Sequence, residues 1–171
     1  LNLTRPVFSA DQINALGLDA LVVGSDEVWN FVDPGFHPVK FGVGIDVPIL
    51  VSYAAGTGSV MPGDIPPAGV KEGLMRFDRL SVREHNGMEW VRGTLGVTPT
   101  VVLDPTLMYD FHRETVSRSI PSGDYLLVYQ CQLDEEYEVA IRKYAHDRNL
   151  TIISAGSNDA YAQRKLIDID P

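Results

Sequence analysis

The residue best suited to grip an anion is Arg83, in the stretch Ser81-Val82-Arg83-Glu84. A guanidinium at a strand end can clamp a planar carboxylate or a phosphate through two parallel hydrogen bonds. The same residue also fits a quieter role, pairing with Glu84 or an Asp to organise a loop. Gly24-Ser25-Asp26 follows an apolar run. Its glycine lets backbone approach a ligand closely, and its hydroxyl and amides suit an anion. It reads equally as a tight turn, with Asp26 as a cap and Trp29 in the core. Ala54-Ala55-Gly56-Thr57-Gly58-Ser59 is small and glycine-rich, the composition of a backbone cradle for phosphate or carboxylate. It has neither the Lys of a P-loop nor the spacing of a dinucleotide fingerprint. Asp104, before Pro105, can orient Arg83 or act as a base; an Asp before Pro also commonly opens a turn.

Other chemistries find less support. The histidines are His37, His85, His112 and His146. His85 adjoins Arg83 and Glu84 and alone is placed for acid/base work. His146 falls within an amphipathic helix and is expected to face solvent. No pair has metal-ligand spacing, so no metal site is expected. There is no Gly-x-Ser-x-Gly elbow. Cys131, the single cysteine, reads as a small buried residue at a strand end.

These residues fall at the ends of apolar runs, which suggests what positions them. Ser9 and Gln12 are spaced as a capping box, with Gly17 closing a short helix. Strands are expected over 20–25, 47–55, 79–84 and 98–104. Helices are expected over 66–77, opened by Pro66 and Pro67, and over 84–96, closed by Gly96. Residues 30–46, rich in Gly, Pro and Asp, read as loop. After a stretch of weak periodicity, 124–131 reads as strand, 134–149 as helix and 150–156 as strand. Acids open that helix and cations close it, as its dipole prefers. The final YAQRKLIDIDP carries no closing element.

Strands alternating with helices predict mostly parallel sheets, with strands buried on both faces. The expected class is α/β with Rossmann-like sheets and flanking helices. The expected division is an N-terminal half over 1–110, a linker over 111–123 and the start of a second half over 124–171. In such sheets ligands sit beyond the carboxyl ends of strands, where Gly24–Asp26, Tyr53–Gly58, Arg83-Glu84, Asp104–Thr106, Gln130–Gln132 and Ser154–Gly156 all fall.

Composition narrows the function. The 171 residues carry 14 Lys+Arg against 23 Asp+Glu, a formal net charge of -9, which argues against general nucleic-acid binding. No run approaches the ~18 apolar residues of a membrane span. One cysteine makes no internal disulfide framework. The chain starts at Leu with no signal-like stretch, as though processed or cut from a longer chain.

The segments VVGSDEVWN (22–30), VSYAAGTGS (51–59), FDRLSVREHNG (77–87), VVLDPTLM (101–108) and YLLVYQCQ (125–132), in this order, resemble the polysaccharide pyruvyltransferase family. The resemblance covers most of the chain. It implies a GT-B-like pair of Rossmann-like halves with a cleft between them, the second half incomplete here. The implied activity is transfer of a pyruvyl group from phosphoenolpyruvate to sugar hydroxyls, making a ketal in bacterial cell-surface polysaccharide assembly. Phosphoenolpyruvate is the donor and no cofactor is implied. The partners are this donor and a saccharide acceptor, free or lipid-linked. The implied location is cytoplasmic, at or near the inner face of the membrane. Arg83 would bind the donor; Ser25, Asp26, Tyr53 and Asp104 would line the cleft; Gly24, Gly56 and Gly58 would allow close approach. The family more often has Ser-Phe where Gly56-Thr57 stands. Its later Ser-Phe-His-Gly-like motif, holding the histidine thought catalytic, has no counterpart, so the chain resembles the middle of a family member. That leaves His85 and Asp104 as the local acid/base candidates. An incomplete half exposes apolar surface, which predicts self-association. The alternatives are a GT-B-type glycosyltransferase using a sugar nucleotide, and a truncated module that binds glycans or a partner.

Overall fold

The computed structural model describes residues 5–110, 123–129, 133–155 and 161–166. The chain divides into two compact units, Leu1–Arg113 and Glu114–Pro171. Both are mixed α/β with parallel strands.

The first unit opens with α1 (Ala10–Asn14). Half of its capping box forms, Gln12 N donating to Ser9 Oγ at 3.3 Å, while Gln12 Oε1 accepts from Phe8 N, one residue before the cap, at 2.7 Å. So short a helix is marginal alone. Asn14 holds it by donating to Gly44 O and accepting from Asp46 N. There follow β1 (Ala20–Val23), β2 (Ile49–Ser52), α2 (Val70–Leu74), β3 (Ser81–Val82), α3 (His85–Leu95) and β4 (Thr100–Val101). β1 pairs in parallel with β2, Ala20 opposite Ile49 through Val23 opposite Ser52. β3 pairs in parallel with β4. Between β2 and β3 there are two isolated parallel bridges, Val51 to Arg79 and Ala55 to Val82.

That seam is reinforced by two buried serines. Ser52 Oγ donates to Ser81 O at 2.9 Å and accepts from Ser81 N at 2.8 Å. Ser81 Oγ donates to Ser52 O at 2.8 Å and accepts from Ala54 N at 3.2 Å. Each hydroxyl stands in for a main-chain group, so the buried backbone stays satisfied where the regular ladder is interrupted.

The expected burial on both strand faces fails at the edge. Leu21 and Val23 of β1 pack against the core, but Val22 is 58% exposed and Ile49, opposite Ala20 on β2, is 50% exposed. Among the described residues the core covers one face of this pair. α2 is also shorter than expected. Pro66 and Pro67 lie before it, and Gly69 starts it in left-handed backbone, φ 83°. β4 likewise spans two residues, because Pro105 and the capping Asp104 turn the chain into a 3-10 turn, Pro105–Met108. α3 closes at Gly96, φ 75°, as its sequence predicts.

The core departs most from expectation in the Gly/Pro-rich stretch. Residues 38–41 form a 3-10 turn capped by His37 Nδ1, which accepts from Val39 N. The turn delivers Phe41 into the core beside Trp29, Phe77, Trp90 and Ile45. Trp29 is fully buried, edge-on to Phe77 at 5.6 Å, and its indole N–H donates to Lys40 O at 2.9 Å. Trp90 N–H donates to Asp64 O at 3.1 Å. Both indoles thus bury their rings and satisfy their single donors.

The second unit contains β5 (Tyr125–Tyr129), α4 (Glu135–Asp147), β6 (Thr151–Ala155) and β7 (Arg164–Leu166), a parallel sheet in the order β5-β6-β7. β7 corrects the expectation that the tail carries no closing element: Ile153 to Ala155 pair with Arg164 to Leu166. α4 matches its prediction, with Glu135, Glu136 and Glu138 in its first turn. Arg142 Nη2 pairs with Glu138 at 2.6 Å, one turn away. His146 is 91% exposed, as its helix face predicts. Leu126 and Val128 pack with Ile141, Ala145 and Ile152, whereas Tyr125, Leu127 and Tyr129 on the other face of β5 are exposed. Residues 111–122 of the linker expected over 111–123, Cys131 and the tail from residue 167 lie outside the described residues.

Candidate functional site

The carboxyl ends of β1 to β4 bring Ser25, Asp26, Tyr53, Gly56, Arg83 and Asp104 to one place. Arg83 is its centre. Its Nη1 lies 3.2 Å from Asp104 Oδ2, its Nη2 3.7 Å from Asp26 Oδ1 and its Nε 3.4 Å from Glu84 Oε2. The two readings of Arg83, anion clamp and loop organiser, meet here: its side chain remains 28% exposed, yet the guanidinium faces three carboxylates. Those contacts are unequal. Asp104 and Glu84 are mostly covered, while the Asp26 side chain is 92% exposed and stands farthest off. An exposed pair at that distance contributes little.

Asp104 caps the turn that follows β4. Oδ1 accepts from Thr106 N at 3.0 Å and from Thr106 Oγ1 at 2.7 Å. Those two bonds, with smaller help from Arg83 and Ser25 against desolvation, hold its carboxyl at about 2. Asp104 is therefore ionised at neutral pH and has no proton to donate; it fixes Arg83. The sign for folding follows. Its folded value lies below its unfolded one, so its contribution to stability is complete above about 4. That contribution is lost as pH falls toward about 2. A carbon-13 titration of the Asp104 carboxyl should give a midpoint near 2. Thr106→Ala should move it up toward the ordinary carboxylate value, and an unmoved midpoint would refute the assignment to Thr106.

The glycine-rich loop does not offer a ring of open amides. Ala54 N donates to Ser81 Oγ, Ala55 N to Ser81 O, Gly56 N to Ser25 O and Asp26 O, and Thr57 N to Glu84 Oε1. Four successive N–H groups are engaged inside the protein, so the cradle expected from composition is not what the loop provides. Its glycines provide room. A Cβ on Gly56 would lie 2.9 Å from Arg83 Nε, and one on Gly58 would run into Glu27 and Asn30. Gly24, at φ 142°, packs so closely on Tyr53 that a Cβ there would overlap the Tyr53 carbonyl. The two loops are laced further by Tyr53 N to Val23 O and Trp29 N to Gly56 O.

Tyr53 is half-buried, and its hydroxyl donates to Met108 Sδ, tying the end of β2 to the turn after Asp104. His85 is exposed on the first turn of α3. Among the described residues no group of three metal-ligating side chains converges. Sequence reasoning treated Glu84 as no more than a possible partner of Arg83, and it missed Asn86 and the Glu27–Asn30 pair. Asn86 Nδ2 donates to Val60 O at 3.2 Å, and Asn30 Nδ2 to Glu27 Oε2 at 3.1 Å. Those contacts join segments about 25 residues apart or turn on side-chain direction, so no local pattern announces them.

Comparison with known proteins gives one positive result. A family model described as polysaccharide pyruvyl transferase matches residues 2–170. No curated protein and no solved structure matches the chain.

Proposed function

The chain belongs to the polysaccharide pyruvyl transferase family, and from that premise we propose that it transfers a pyruvyl group from phosphoenolpyruvate to two hydroxyls of a saccharide, forming a ketal and releasing phosphate. The observation that carries this reading is Arg83, held at the strand ends by Asp104 and Glu84 with its Nη2 edge toward the exposed Asp26. An anionic donor displaces Asp26, the loosest of the three carboxylates, and takes its place on the guanidinium. Ser25 and Tyr53, half-buried on either side, line the seat.

The reaction asks for more than a seat. The donor's enol ether takes a proton at its methylene carbon. One sugar hydroxyl adds at the neighbouring carbon, phosphate leaves, and a second hydroxyl closes the ketal. The two hydroxyl protons balance the one gained by carbon and the one leaving with phosphate. Positive charge develops at the central carbon, and the carboxylates around Arg83 favour it. Asp104 is excluded as the acid by its low pKa; His85, exposed and next to Glu84 in sequence, is the remaining local candidate. The donor carries its own driving force, so no separate cofactor is invoked. The same proposal includes a GT-B-like pairing of halves, a cytoplasmic location and a free or lipid-linked acceptor. Among the described residues no helix is long and apolar enough to cross a membrane.

The test incubates the chain with phosphoenolpyruvate and a panel of hexose-terminated oligosaccharides. Expected are phosphate release that depends on acceptor and a new ketal methyl singlet in the proton spectrum. Binding of sugar nucleotides with no ketal from any acceptor would replace pyruvyl transfer by glycosyl transfer.

A further inference from the structure

Glu84 occupies the N-cap of α3 in extended backbone, φ -131° and ψ 156°, yet its side chain makes no capping bond to that helix. It reaches elsewhere. Oε1 accepts from Thr57 N at 3.0 Å. Oε2 is buried, has no hydrogen bond, and lies 3.4 Å from Arg83 Nε. One carboxylate thus touches both the glycine-rich loop and the guanidinium. The surroundings hold that geometry in place. Thr57 is fully buried, and a Cβ on Gly87 of α3 would lie 3.1 Å from its side chain. Asn86 Nδ2 donates to Val60 O and lies 3.4 Å from Gly58 O. Gly56 leaves the space that Nε fills.

We propose that Glu84 is a positioning residue: it fixes the Nε edge of Arg83 and the Thr57 amide together, leaving Nη2 as the edge that meets an incoming anion. A cation held by fixed partners is already oriented when the ligand arrives, and orientation of this kind separates a site from a surface charge. In its binding part the inference rests on the donor reading above; in its structural part it stands alone.

Two measurements on the full chain test these parts separately. The first follows the Thr57 backbone amide and the Arg83 Nε–H in nitrogen-15 spectra, the latter assigned by its loss in Arg83→Ala. Glu84→Gln keeps an oxygen acceptor, so the Thr57 amide should stay protected from exchange while the Arg83 Nε–H exchanges faster. Glu84→Ala should expose both. Unchanged exchange at both groups in Glu84→Ala overturns the proposal whatever the ligand. The second is calorimetric titration with phosphoenolpyruvate. Glu84→Gln should bind about fivefold more weakly, the scale of one partly screened ion pair that no longer orients the guanidinium, and should change nothing further in an Arg83→Ala background. Wild-type affinity in Glu84→Gln would also overturn it. Absence of binding by the wild-type chain would count against the donor, and the exchange measurement would still decide the role of Glu84.

Discussion

Arg83→Ala is expected to weaken phosphoenolpyruvate binding by roughly a hundredfold or more, whereas Asp26→Asn should tighten it about threefold. The opposite signs come from the same local charge. Among the described residues Arg83 is the cation that Asp26, Glu84 and Asp104 face. Its removal deletes the charged Nη2 edge that meets the ligand, with hydrogen bonds to charged groups worth about 1.5–3 kcal/mol each. It also leaves carboxylates facing an anionic ligand. Asp26 competes for the guanidinium from a position 92% exposed to water, so neutralising it removes a weak rival at the scale of a solvent-screened charge. Calorimetry at low salt reads both variants. If Asp26→Asn bound more weakly than wild type, Asp26 would be a ligand contact rather than a placeholder. If Arg83→Ala bound as well as wild type, the seat would lie elsewhere.

Trp29→Ala should be the most destabilising single change in the first unit, costing about 3–5 kcal/mol. Trp29 is fully buried and touches Phe41 and Phe77. Its indole N–H donates to Lys40 O, so truncation opens a cavity and also strips that carbonyl of its donor. Against a usual domain stability of about 5–15 kcal/mol, the loss is a large share. Urea unfolding followed by the fluorescence of Trp90 measures it. A cost below about 1 kcal/mol would mean that the aromatic cluster is not the core of this unit. The bond from Trp29 N to Gly56 O is main-chain and survives the substitution, so any effect on the site would come through movement of the backbone at Gly56, which borders the guanidinium of Arg83.

Much of this was legible in the residues, for identifiable reasons. α3 and α4 carry long apolar periodicity with end signals, Gly96 after one and a cluster of acids opening the other. The strand-end rule placed Arg83 and Asp104 together, since parallel strands put their carboxyl ends on one side. What escaped notice depends on distance in sequence. Phe41 lies in a stretch of Gly, Pro and Asp whose composition reads as solvent-exposed loop, yet a 3-10 turn carries it into the core. The reach of Glu84 to Thr57 spans 27 residues and follows from side-chain direction, not from pattern. The open face of β1 could not be read from its apolar residues, because a run of valines looks the same whether one face is covered or two. β7 is too short to announce itself.

The serine pair across β2 and β3 constrains how this protein can change over time. Ser52 and Ser81 each complete the other's main chain. An alanine at position 81 would leave Ala54 N and Ser52 O buried with nothing to bond. Either serine is therefore costly to lose while its partner remains. A lineage that keeps this backbone must retain both or exchange both in close succession, so the two positions are inherited as one character. Their pairing should persist between relatives whose surfaces have otherwise diverged.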